Sequence, residues 1–125
     1  MVQKILLAED DIQLIDMYRR KFELEGFEVF VAEDGRKALD LLATFVPDLI
    51  LLDIMMPKLN GLEVLRQIRQ NPLKKDLLVV ILTNLGNEST AEEIYKLGAT
   101  DYIVKADMTP LEVVNRVKEI LDSPK

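Results

Sequence analysis

Four apolar runs in this chain each lead into a reactive polar group. Ile5-Leu6-Leu7-Ala8 leads into Glu9, Asp10 and Asp11; Leu49-Ile50-Leu51-Leu52 leads into Asp53. Leu77-Leu78-Val79-Val80-Ile81-Leu82 leads into Thr83, and Tyr102-Ile103-Val104 into Lys105. If the runs are parallel strands of one sheet, all four groups emerge at the same edge. Carboxylates, a hydroxyl and an ammonium then face one another in a single cleft. Two carboxylates about 4 Å apart repel by roughly 4 kcal/mol at an effective dielectric near 20. Glu9, Asp10 and Asp53 therefore call for a cation among them. A small set of oxygen ligands suits Mg²⁺, which keeps several waters and leaves positions open for phosphoryl oxygens. Asp53 can attack phosphorus and become an aspartyl phosphate. Lys105 can answer the charge of a transferred phosphoryl group, and Thr83 can hydrogen-bond one of its oxygens. Each residue alone has a plainer reading: a helix cap for Asp10 or Asp11, a loop cap for Asp53, a solvated Lys105, an ordinary β-branched Thr83. Their placement, one set per strand end, favours the site.

The elements that must position these groups alternate strand and helix five times. The runs near 4–8, 49–52 and 77–82 are continuously apolar, as strands covered on both faces are. Phe27-Glu28-Val29-Phe30-Val31 is broken by Glu28 and suits an edge; the run near 101–104 is short and also peripheral. Between the runs the period becomes helical. Leu14, Tyr18, Phe22 and Glu25 form one stripe with Ile15 beside it, and Ala38, Leu41, Leu42 and Phe45 a second. Leu62, Leu65 and Ile68 with Arg69 form a third, Ile94 and Leu97 a short fourth, and Val113, Val114, Val117, Ile120 and Leu121 the last. Gly26, Gly98 and Pro72 mark helix ends, and Ser89 with Glu92 reads as a capping box. Thr109-Pro110-Leu111-Glu112 is a stronger helix start, with a cap, a first-turn Pro and a Glu three past the cap. Such alternation implies an α/β fold, a parallel sheet with helices on both faces, whose ligands bind at the carboxyl ends of the strands.

Composition limits the function. The 125 residues suffice for one domain with a sizeable core. There is no cysteine and no histidine, which excludes thiolate chemistry, disulfides and any His-based hydrolase. Phosphohistidine chemistry would have to come from a partner. The net charge of −6, without a basic stripe, argues against direct nucleic-acid binding. No stretch reaches membrane-spanning length and the first apolar run is too short for a signal peptide, so no membrane association is expected and the cytoplasm is the default compartment.

Over essentially its whole length the chain resembles the receiver domains of bacterial two-component response regulators. The resemblance rests on Ile5-Leu6-Leu7-Ala8-Glu9-Asp10-Asp11, on Asp53-Ile54-Met55-Met56-Pro57 with Gly61, on Thr83, and on Tyr102-Ile103-Val104-Lys105. It implies a flavodoxin-like (βα)5 doubly wound sheet of strand order 2-1-3-4-5, with residues 1–125 as a single receiver domain. It implies that Asp53 accepts phosphate from a sensor histidine kinase or a histidine phosphotransfer protein, as one step of a phosphorelay. Mg²⁺ would be held directly by Asp10, Asp53 and the backbone carbonyl of Met55, with Glu9 acting through water; Asp11 would be a helix cap. It further implies a switch in which Thr83 moves toward the phosphoryl group and Tyr102 turns inward behind it. The output surface would be the fourth helix, fifth strand and fifth helix. Downstream, it implies a protein partner or an output domain outside this chain, and a phosphorylation-dependent homodimer is among the assemblies it allows. The chain's chemistry would be that of a signalling phosphoacceptor, promoting only its own phosphorylation and dephosphorylation.

Three features depart from the family pattern. Receivers usually follow their Lys with a cis Pro, whereas Lys105 is followed by Ala106. A non-proline cis bond costs about 2.5–4 kcal/mol, so a trans bond or a reshaped loop is expected there. Asn84 stands where the family usually has a small residue. Met55 and Leu85 occupy the two positions that tune dephosphorylation, and neither can orient an attacking water well. A small Mg²⁺-dependent phosphohydrolase is the main competing reading, but the second Asp such enzymes carry would fall at Met55. A phosphate-independent interaction module is disfavoured by the intact set of acids, Thr83 and Lys105. A nucleotide-binding protein is disfavoured by the lack of a Gly-rich loop after the first strand.

Overall fold

The computed structural model describes residues 2–84 and 88–123, apart from the side chains of residues 88 and 89. The strands are β1 (Lys4–Ala8), β2 (Glu28–Ala32), β3 (Leu49–Asp53), β4 (Leu78–Thr83) and β5 (Asp101–Val104). The helices are α1 (Ile12–Leu24), α2 (Gly35–Leu42), α3 (Gly61–Gln70), α4 (Glu88–Lys96) and α5 (Pro110–Asp122), with a single 3-10 turn at Lys105–Asp107. The strands form one sheet in the order β2-β1-β3-β4-β5. All four pairings are parallel.

Strand periodicity sorts the side chains into two layers. Leu6, Ala8, Ile50, Leu52, Val79 and Ile81 face one way, onto Ala38 and Leu42 of α2, Val64, Leu65 and Ile68 of α3 and Ile94 of α4. Ile5, Leu7, Leu49, Leu51, Val80, Leu82 and Ile103 face the other way, onto Tyr18 and Phe22 of α1 and Val113, Val114 and Val117 of α5. Two such faces explain why the three central strands carry no polar alternation. The edge strands are β2 and β5, as the interrupting Glu28 and the short fifth run suggest.

The helix ends follow their local chemistry. Asp11 caps α1, its Oδ1 accepting from the amides of Gln13 at 2.9 Å and Leu14 at 3.3 Å. Asn60 caps α3 through the amide of Glu63 at 3.0 Å. Thr109 and Glu112 complete the expected capping box, at 3.2 and 2.9 Å. Gly26 and Gly98 adopt φ of +91° and +101° at the chain reversals after α1 and α4, a conformation that suits glycine. The cap expected of Ser89 falls on a side chain outside the described residues.

Some boundaries shift. β2 begins at Glu28 rather than Phe27, and β4 runs on to include Thr83. The second helical stripe overreaches: α2 ends at Leu42, and Phe45 lies beyond it, its ring 4.6 Å from that of Phe30. The Thr44 hydroxyl donates to the Leu41 carbonyl at 2.8 Å, beside the amides of Thr44 at 2.9 Å and Phe45 at 3.2 Å. In α3 the most buried aliphatic positions include Val64, which the stripe of Leu62, Leu65 and Ile68 omitted.

The core makes a direct stability prediction. Leu51 is fully buried in the central strand, whereas Leu73 is 88% exposed. Leu51→Ala is expected to lower unfolding free energy by about 2–5 kcal/mol, and Leu73→Ala by less than about 0.5 kcal/mol, both read from urea denaturation.

Candidate functional site

The parallel register brings the strand ends level. Ala8 pairs with Leu52 and Asp53 with Leu82, and Thr83 pairs with Val104. Asp53 and Thr83 are thus the last residues of their strands, while Glu9 and Lys105 follow one residue after theirs. The Glu9 amide donates to the Ala32 carbonyl at 3.0 Å, extending the β1–β2 ladder by one step. That bond keeps Glu9 at the sheet edge and turns its side chain into the site.

Carboxylate oxygens of Glu9, Asp10 and Asp53 lie within 4.8 Å of one another. Glu9 and Asp53 are buried, at 1% and 4% exposure, while Asp10 is exposed. The Lys105 ammonium enters between the two buried acids. Its Nζ lies 2.7 Å from Glu9 Oε1 and 3.3 Å from Asp53 Oδ2. The other Glu9 oxygen accepts from the amides of Asp10 at 3.0 Å and Asp11 at 3.2 Å. Both oxygens of Glu9 are therefore engaged by the protein. One oxygen of Asp53 accepts a long bond of 3.4 Å from the Met55 amide. Both Asp53 oxygens are also approached, but at the longer distances of 3.4 Å from the Met55 amide and 3.3 Å from Lys105 Nζ, so they are held less closely than those of Glu9.

Burial pushes the Glu9 carboxyl above its ordinary value; the Lys105 hydrogen bond opposes this and the Asp53 charge adds to it. For Lys105, burial acts to lower the ammonium pKa. The Glu9 hydrogen bond and the Asp53 and Glu9 charges outweigh it and hold the value above that of a free lysine. The ammonium is thus a fixed charge that offsets part of the acidic cluster. The site opens as a cleft of about 550 Å³ lined by Glu9, Asp10, Asp11, Leu14, Asp53, Met55, Asn84 and Lys105. Its two buried acids and exposed third acid, with oxygen donors alone, fit a hard divalent cation.

Of the remaining sequence-derived residues, Met55 and Asn84 line this cleft, while Thr83 and Tyr102 sit on β4 and β5. Thr83 is fully buried at the end of β4, on the strand that pairs with Asp53. Tyr102 is half-buried on β5 and packs against the layer that holds α4. Its ring meets the Tyr95 ring edge-on, centroids 6.2 Å apart. Met55 is 68% exposed at the rim, and Asn84 is exposed beside it. Leu85 lies outside the described residues. The Lys105-Ala106 bond is trans, since no described peptide is cis, and the chain turns there through the 3-10 segment. Ala106 thus accommodates Lys105 without a cis bond, as its residue type implied. Gly61 lets the loop after β3 close tightly: a β-carbon there would lie 2.1 Å from the Asp53 carbonyl oxygen.

Sequence reasoning missed Asp101. Its Oδ1 accepts from the Tyr95 hydroxyl at 3.0 Å and the Tyr102 amide at 2.8 Å, and its Oδ2 accepts from Arg116 Nε at 2.8 Å. One carboxylate therefore ties α4, β5 and α5 together. The contact needs three elements to meet, and no residue spacing announced it.

Known proteins with this arrangement decide the family. The response regulator receiver domain model matches residues 5–118. This chain belongs to the response regulator receiver domain family. It is 42% identical over 120 residues to the transcriptional regulatory protein CpxR of Escherichia coli K12, covering 96% of this chain and 50% of CpxR. It is 40% identical to the alkaline phosphatase synthesis transcriptional regulatory protein PhoP of Bacillus subtilis, covering 97% of this chain and 49% of PhoP. The receiver chain thus spans about half the length of these curated relatives. Among solved structures, a putative response regulator from Chloroflexus aurantiacus matches with a TM-score of 0.90 at 32% identity, covering 98% of this chain and all of that one. The chemotaxis response regulator CheY4 of Vibrio cholerae matches with a TM-score of 0.90 at 27% identity, covering 96% and 99%. Receivers are the phosphoacceptor switches of two-component signalling, and their response regulators interact with histidine kinases. Among the described residues no helix of this receiver is long and apolar enough to cross a membrane.

The charge balance is testable without metal. Lys105 is 10% exposed, and removing it leaves the two buried acids facing each other. Lys105→Met is expected to cost about 3 kcal/mol of metal-free stability at neutral pH. Adding Asp53→Asn to the same chain should recover part of that loss. Denaturant melts of the single and double variants read the difference; an additive loss in the double variant would contradict the balance.

Proposed function

We propose that this receiver takes a phosphoryl group onto Asp53 from the phosphohistidine of a sensor histidine kinase or a histidine phosphotransfer protein, and that the phosphate changes what binds at the α4–β5–α5 face. The observation that carries this reading is the convergence of Asp53, Asp10, Glu9 and Lys105 on one open cleft at the carboxyl edge of the sheet.

In this reading an Asp53 carboxylate oxygen forms the new O–P bond as the P–N bond of the donor breaks and the imidazole departs with the bonding electrons. Asp10, Asp53 and the Met55 carbonyl would hold Mg²⁺, with Glu9 supporting it through water. When bound, Mg²⁺ supplies charge stabilisation for the phosphoryl oxygens. Lys105, already 3.3 Å from Asp53, exchanges that carboxylate for a phosphoryl oxygen as its partner. Thr83 donates its hydroxyl to another phosphoryl oxygen, and Tyr102 follows it inward. The Asp101 contacts support this route, because β5 is bonded through one carboxylate to both helices of the output face. A movement of Tyr102 disturbs Tyr95 directly through their ring contact.

Residues 1–125 act as one receiver domain in the cytoplasm in this account. The reader of the face is a protein, either a separate chain or an output domain, and a phosphorylation-dependent homodimer is one form it can take. Nucleic acid is not a direct ligand, given the net charge of −6. The reaction is stoichiometric signalling rather than turnover of a substrate.

Incubation with Mg²⁺ and a small acyl-phosphate donor should add one phosphate to the parent and none to Asp53→Asn, read by intact mass spectrometry. The adduct should persist for minutes or longer after donor removal, because the exposed Met55 offers no polar group to orient water. Loss within seconds would contradict that role of Met55, and an adduct on Asp53→Asn would displace Asp53 as acceptor.

A further inference from the structure

The loop between β3 and α3 carries Met55, and one side of it is pressed against the start of α2. Gly35, the first residue of α2, is buried there. A β-carbon on Gly35 would lie 1.9 Å from the Leu59 carbonyl oxygen, 2.7 Å from its carbonyl carbon and 2.8 Å from its β-carbon. The first two of these are backbone atoms, so no side-chain rotation relieves the clash. The glycine is needed for close approach, since its φ is not in the left-handed region.

The loop is shaped to make this contact. Lys58 adopts φ of +69°, the one positive value for a non-glycine among the described residues. The turn is closed by the Leu59 amide donating to the Pro57 carbonyl at 2.8 Å and the Gly61 amide donating to the Ile54 carbonyl at 2.9 Å. Asp34, which caps α2 through the Lys37 amide at 2.8 Å, also faces Lys58 Nζ at 3.7 Å. Lys58 is exposed and the ion pair is long, so it is weak. The backbone contact at Gly35 is the stronger restraint.

We propose that the α2 N-terminus, through Gly35 and its Asp34 cap, is a positioning strap that sets the height of the β3–α3 loop and hence of the Met55 carbonyl in the cation site. The proposal rests on the reading of Met55 as a ligand. Gly35 touches neither cation nor phosphate; it acts through Leu59. Displacing the loop at Leu59 moves a chain closed by hydrogen bonds back to Ile54, one residue before Met55. Cation affinity therefore depends on a contact made on the outer side of the loop, as supporting residues behind metal ligands commonly show.

The test is Mg²⁺ binding by isothermal titration calorimetry on the whole chain. Gly35→Ala is expected to weaken Mg²⁺ about tenfold. Phosphorylation by a small acyl phosphate should return toward the parent rate once Mg²⁺ is saturating, because Asp53 and Lys105 are intact. Gly98→Ala is the comparison, a glycine substitution strained by its φ of +101° but remote from the loop; it should leave Mg²⁺ affinity as in the parent. If Gly35→Ala does not fold, the Asp34 pair decides. Asp34→Ala removes the cap and should weaken Mg²⁺, whereas Asp34→Asn keeps a good cap and should restore most of the affinity. Parent-like affinity in Gly35→Ala or Asp34→Ala, or an equal loss in Gly98→Ala, would overturn the strap. A parent that does not bind Mg²⁺ at all would overturn the cation-site reading with it.

Discussion

The structure depends on holding three carboxylates together at the edge of one sheet. Glu9 and Asp53 are buried and Asp10 adjoins them, so their mutual repulsion must be offset inside the protein. Lys105 does this with one ammonium shared between Glu9 and Asp53. The amides of Asp10 and Asp11 complete Glu9 from the other side. One cation against three acids leaves the cleft negative. In the proposed function that residual charge is what would draw a divalent ion to the site and, with the ion, a phosphoryl group.

The same arrangement links chemistry to the surface. Lys105 follows directly on β5, which carries Tyr102 and Asp101. A phosphoryl group that draws Lys105 from Asp53 acts on a strand already bonded to α4 and α5 through the Asp101 carboxylate. In the proposed function the α4–β5–α5 face is thus linked to Asp53 through Lys105, β5 and the Asp101 carboxylate. Thr83 is buried at the end of β4, paired with Val104 of β5, two residues past Tyr102. On the opposite flank, the β3–α3 loop is held by α2. Receivers with the same acids can differ in how tightly those two flanks are held.

Much of this was legible in the sequence, for physical reasons. Strands covered on both faces leave unbroken apolar runs, so β1, β3 and β4 and the polar group after each could be read directly. Glu28 marked β2 as an edge because a carboxylate needs solvent there. Asp11 and the Thr109–Glu112 box were readable because capping is local. What escaped was tertiary. The end of α2 before Phe45 comes with backbone and hydroxyl bonds from Thr44 back to the Leu41 carbonyl, which the helical stripe does not foretell. The Asp101 junction needs three elements to meet. The Gly35 contact and the left-handed Lys58 have no local signature, since neither residue type by itself demands that backbone. Gly35 could be noticed only as a glycine after a capping Asp, a pattern equally consistent with an ordinary turn.

In the proposed site the acids attract a cation and Lys105 competes with it. Calorimetric Mg²⁺ titration of Asp53→Asn and Lys105→Met, side by side with the parent, tests both halves at once. Opposite shifts are expected: Asp53→Asn should bind Mg²⁺ more weakly, by about tenfold or more, and Lys105→Met more tightly. Parent-like affinity in Asp53→Asn, or weakened binding in both variants, would contradict that expectation.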